Sequence, residues 1–106
     1  MMTTRPIDRE GVVQVIDDAM GELRASGVPI NGPLSARPET ALFGPGGALD
    51  SLGLVQLIVF IEDRLAGQFG AAIALADEKA LSEKRSPFRT VEALTDYVVR
   101  RLGADA

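Results

Sequence analysis

The chain has 106 residues, of which 46% are hydrophobic and 25% charged, with a mean hydropathy of +0.14, a composition that fits one folded domain over 1–106 rather than a disordered segment. A formal charge of −4, from 15 acidic against 11 basic residues, and the lack of any dense Lys/Arg cluster argue against a nucleic-acid backbone as partner. There is no cysteine and no histidine, which removes disulfides, thiolate metal sites and the imidazole that a Ser-His-Asp hydrolase needs to take the serine proton.

The first predicted element follows Thr4-Arg5-Pro6, a capping residue with a proline in the first turn. Val12, Val13, Ile16, Met20 and Leu23 then recur at helical spacing up to a stop near Gly27. Asp8 and Glu10 suit the positive end of that helix, and its charged face reads most simply as a solvated one. From Gly27 to Ala41 prolines and glycines interrupt any periodicity, predicting a long surface connection that Leu34, Leu42 and Phe43 pin to the core.

The glycine-rich turn Phe43-Gly44-Pro45-Gly46-Gly47-Ala48 leads into Leu49-Asp50-Ser51-Leu52 and a long apolar run to Leu65. Asp50 is a preferred N-cap type, so a second helix should begin at Ser51, with the serine hydroxyl facing solvent at the positive helix end. At 100° per residue, Leu54, Leu57, Ile58, Ile61 and Leu65 share one arc, assigned to the core. Gln56, Asp63, Gly53 and Arg64 fall roughly opposite. Val55 and Val59 lie beside the polar arc and Phe60 within it, apolar where water is expected. They are either covered by a neighbouring loop or form a docking face. Gly44 to Ser51 superficially looks like a phosphate-binding loop, but Asp50 stands where such a loop requires lysine.

Gly67 and Gly70 should end the second helix. Ala71 to Leu75 reads as irregular, Asp77 to Leu81 supports one short helix, and Ser82 to Pro87 forms a polar connection. Thr90 caps a last helix with Val91, Leu94, Val98 and Leu102 as its apolar stripe, and Phe88 and Tyr97 close that end of the core. The fold expected is all-α, with three main helices, one short helix and no strand or hairpin pattern. With no signal-peptide h-region and no apolar run of the roughly 20 residues that span a bilayer, a soluble cytoplasmic protein is expected.

The residues Asp50-Ser51-Leu52, followed by the stripe Leu54, Leu57, Ile58, Ile61 and Leu65, resemble the attachment site of the acyl carrier and peptidyl carrier proteins. The resemblance runs from about Val12 to Leu102. It implies a small four-helix bundle with a long loop between helices 1 and 2, and a 4′-phosphopantetheine arm, drawn from coenzyme A, on Ser51. It also implies that Asp50 orients the serine and helps the modifying transferase hold its metal and coenzyme A, and that Leu52 anchors the helix start. The family pattern places glycine two residues before the aspartate; here Ala48 stands there and the glycine is Gly47, which implies a shifted loop.

The resemblance further implies a non-catalytic, monomeric carrier that holds acyl or aminoacyl groups as thioesters. Its partners would be a phosphopantetheinyl transferase, a loading ligase and the synthase or transferase enzymes of fatty-acid, polyketide or nonribosomal-peptide pathways. The family docks partners on its second helix; the corresponding residues here are Val55, Gln56, Val59, Phe60, Glu62 and Asp63, beside Leu52. The rival reading is an unmodified helical scaffold that keeps the fold.

Overall fold

The computed structural model describes residues 8–32, 34–44, 46–75 and 87–104. Among them are three helices, α1 (Arg9–Ala25), α2 (Ser51–Phe69) and α3 (Val91–Ala104), and no strand beyond isolated bridges. The predicted short helix at 77–81 and the connection at 82–86 lie outside the described residues.

The cap of α1 is Asp8, whose carboxylate accepts from the Gly11 N–H at 2.8 Å. The predicted start at Thr4-Arg5-Pro6 lies outside the described residues, and Asp8 serves as cap because it sits three residues before a free amide. The helix closes on Ser26, and Gly27 turns the chain at φ +83°. Its stripe of Val12, Val15, Ile16, Ala19, Met20 and Leu23 is wholly buried, and α1 packs against both α2 and α3. Leu54, Leu57, Ile58, Ile61 and Leu65 of α2 and Val91, Leu94 and Val98 of α3 complete the core with Phe88. Each such side chain contributes roughly 1.5–3 kcal/mol by leaving water.

Two departures from the angular census have clear causes. Gly53 is buried, because Val28 and Leu49 approach within 3.4 Å of where its Cβ would stand. Arg64 is tied to Glu22 at 3.0 Å and lies 4.0 Å from Asp18, both on α1, so its polar end closes a helix pair. The helix α2 runs through Gly67 and stops at Gly70, which takes the left-handed conformation (φ 67°) that glycine adopts without penalty.

The connection from α1 to α2 is long but stitched. The Leu42 N–H donates to the Arg89 carbonyl (2.7 Å), Val91 to Thr40 (3.0 Å) and Glu92 to Pro38 (3.0 Å), joining it to the start of α3. Leu42 is fully buried, while Leu34 and Phe43 are partly buried against the core. On the far side, Thr90 caps α3 by accepting from the Ala93 N–H at 3.1 Å. Phe88 meets Tyr97 edge-on at 5.7 Å. Among the described residues no helix is long and apolar enough to cross a membrane.

Candidate functional site

The turn that delivers Ser51 is built by backbone hydrogen bonds on both sides. The Ala48 N–H donates to the Ala41 carbonyl (3.0 Å), Leu49 to Leu42 (2.8 Å), Gly47 to Gly44 (2.9 Å), and the Ala48 carbonyl accepts from Asn31 (2.7 Å). This places residues 47–49 flat against Leu42 and Phe43. A Cβ at position 47 would sit 2.8 Å from both the Leu42 carbonyl oxygen and the Phe43 nitrogen, closer than real contacts allow. Glycine is needed at 47 for close approach, and Ala48 is itself buried. The glycine at 47 thus has a steric reason in this chain.

Asp50 then caps α2. One carboxylate oxygen accepts from the Gly53 N–H at 2.8 Å, and its backbone carbonyl accepts from Leu54 at 2.9 Å. The carboxylate is held by the helix start. Ser51 follows as the first helical residue, exposed, and among the described residues its hydroxyl has no hydrogen-bond partner. An exposed hydroxyl at a positive helix end is free to accept a substituent bearing negative charge, since the helix dipole and first-turn amides favour an anion there. Leu52 does not anchor this helix start. It is 65% exposed, and Leu49 and Leu54 are buried in its place.

Along α2 from Ser51, Val55 (44% exposed) and Val59 (40%) continue the apolar stripe that Leu52 begins, and Asp63 is exposed one turn further. Gln56 is half-buried. Phe60 is half-buried and packs against the core rather than turning fully to water. Glu62 is engaged within the fold, where its carboxylate accepts from the Leu75 N–H at 2.6 Å, while the Tyr97 hydroxyl donates to the Leu75 carbonyl at 2.8 Å. The two side chains hold one peptide segment between α2 and α3, and Leu75 itself is fully buried. Nothing in the sequence spacing announced this clamp, because the segment carries no periodicity; a glutamate facing an irregular apolar stretch is too common a pattern.

The structure therefore brings together Asp50, Ser51, Leu52, Val55 and Val59 on one accessible strip. It withdraws Glu62 and Arg64 into intramolecular contacts. Among the described residues no cluster of acidic groups could hold a metal ion. Comparison with protein-family models, curated proteins and solved structures finds no match to this chain.

Proposed function

We propose that this chain is a carrier of acyl or aminoacyl groups, modified on Ser51 with 4′-phosphopantetheine. One observation carries the reading: the serine of Asp50-Ser51-Leu52 is the exposed first residue of a helix whose cap is the preceding aspartate. The residues fit the group. Its phosphate would join an unencumbered hydroxyl where the helix dipole favours negative charge, and nothing described crowds Ser51 from the side of solvent. When bound, the group supplies a thiol that holds cargo as a thioester.

The chain's own contribution is positional. Asp50 fixes the backbone of the first turn, so the serine stands in one place for a modifying transferase. The stripe Leu52, Val55 and Val59 offers that transferase, and later a loading ligase or a synthase, an apolar surface within two turns of the attachment point. Tethering is useful because it raises the effective concentration of a cargo at each partner. The fold type that the resemblance implies, a four-helix carrier bundle, belongs to this proposal, as do a non-catalytic role and a monomeric state.

The test is labelling with a fluorescent coenzyme A analogue and a broad-specificity phosphopantetheinyl transferase. Wild type should take up label and Ser51→Ala should take up none. An Asp50→Asn variant, which keeps a capping side chain, should be folded yet labelled more slowly. A wild type that stays unlabelled would favour the scaffold reading.

A further inference from the structure

The residues that follow α1 touch the Ser51 turn at two points, one on either side of the serine in sequence. The Asn31 N–H donates to the Ala48 carbonyl at 2.7 Å. Val28 packs on Gly53, with its Cγ1 3.4 Å from where a Cβ of residue 53 would stand. A Leu49 methyl (3.3 Å) and the Asp50 carboxylate oxygen that accepts from the Gly53 N–H (3.5 Å) lie around the same point. Cap, apolar contact and buried glycine thus meet on one side of the first turn of α2. Ser51 is on the other: two residues correspond to about 200° around a helix, and Ser51 is exposed where Gly53 is buried.

Val28 is itself held in place. The last turn of α1 is closed by Ser26, whose N–H and hydroxyl both reach the Leu23 carbonyl, at 3.1 and 2.6 Å. Gly27 then turns the chain at φ +83°, and the Leu34 carbonyl further on accepts from Arg24 of α1 at 2.8 Å. The stretch is therefore anchored to α1 on both sides of Val28, a half-buried side chain set against the turn.

We infer that Val28 is a positioning residue for the attachment at Ser51. The inference rests on the carrier reading above. Val28 bears on the face of the turn away from the serine. It acts by keeping Gly53 seated, and with it the Asp50 cap, so that the serine is presented on a closed turn. Gly53 has no side chain of its own, so removing the two γ-methyl groups of Val28 takes away the apolar contact that the connection makes with it and lets the turn open at its cap. A transferase that takes only the closed turn has its apparent affinity reduced by the fraction closed, so the effect belongs in KM and not in kcat.

The experiment uses the full-length chain and its Val28→Ala, Val28→Ile and Val13→Ala variants. Steady-state modification with coenzyme A and a broad-specificity phosphopantetheinyl transferase is measured beside amide hydrogen exchange on the unmodified ¹⁵N-labelled proteins. Val28→Ala should raise the KM for this chain at least threefold at unchanged kcat, and should speed exchange of the Gly53 amide at least threefold relative to Leu57 and Ile61. Val28→Ile, which keeps a branched side chain against Gly53, should bring both quantities within twofold of wild type. Val13→Ala trims a half-buried valine of α1 and should change neither. A wild-type KM in Val28→Ala, a raised KM with unchanged Gly53 exchange, or an equal effect of Val13→Ala overturns the assignment and leaves the carrier reading standing. A wild type that is not modified overturns both.

Discussion

Replacing Gly47 by alanine adds a single methyl group, yet the geometry makes it one of the costlier changes available in this loop. The new Cβ would meet the Leu42 carbonyl carbon and oxygen and the Phe43 nitrogen at 2.8–2.9 Å. All three are backbone atoms, so no rotamer change relieves the clash. Either the 47–49 segment or the 42–43 segment must move, and the bonds from Leu49 to Leu42 and from Ala48 to Ala41 are stretched or lost. Overpacking of this kind costs about 1–3 kcal/mol, and each of the two weakened backbone bonds adds about 1 kcal/mol, giving about 3–5 kcal/mol in all. For a domain near 100 residues, 1 kcal/mol shifts Tm by about 4–8 °C. Gly67→Ala is the matched control: its Cβ would meet nothing within 4 Å, inside a helix, so it should stabilise by about 0.5–1 kcal/mol. Urea unfolding followed by circular dichroism at 222 nm measures both. If Gly47→Ala were as stable as wild type, the close approach of 47 to Leu42, and with it the placement of the Ser51 turn, would be wrong.

The clamp on Leu75 predicts that Glu62→Ala and Tyr97→Phe each destabilise, by about 1–3 and about 1 kcal/mol. A double-mutant cycle should show coupling above about 0.5 kcal/mol, because both side chains hold the backbone of the same residue, Leu75; strict additivity would mean that the two bonds act separately. On the exposed stripe, Val55→Ser and Val59→Ser should change stability by less than about 0.5 kcal/mol while raising the transferase's KM. That KM should depend weakly on salt, since Glu62 and Arg64 are engaged internally and fewer charges on this face remain to be screened. Phe60→Ala should lower stability, by about 1–2 kcal/mol for a half-buried ring against the 3–5 kcal/mol typical of a buried one; a stability equal to wild type would place the ring in water. With no histidine in the chain, the thermal midpoint should move little between pH 6 and 8, and a shift of many degrees across that interval would contradict this expectation.

The sequence was most legible where one local rule sufficed. Asp50 caps, Ser51 starts the helix, and the five apolar residues at helical spacing behind them are all buried, because caps and periodicity are properties of a single element. It was less legible where a distant segment decides. Gly53 is buried by Val28, Arg64 is drawn to Glu22 of α1, and Glu62 is drawn to Leu75, none of which a helical wheel can show. Leu52 falls in the same class: the motif suggested an anchor, but the packing uses its neighbours Leu49 and Leu54 and leaves it exposed. The sequence reading puts the cap of α1 at Thr4 and gives Asp8 only a favourable charge, whereas the Asp8 carboxylate is itself the cap and reaches the amide of Gly11.

The central claim is that Ser51 is an attachment point, and intact-mass spectrometry with peptide mapping tests it most directly. After incubation with coenzyme A and a broad-specificity phosphopantetheinyl transferase, wild type should gain the mass of one phosphopantetheine group, located on the peptide containing Ser51. Ser51→Ala, with stability changed by no more than about 0.5 kcal/mol, should gain none. An unmodified wild type, or addition to the alanine variant, would contradict the account.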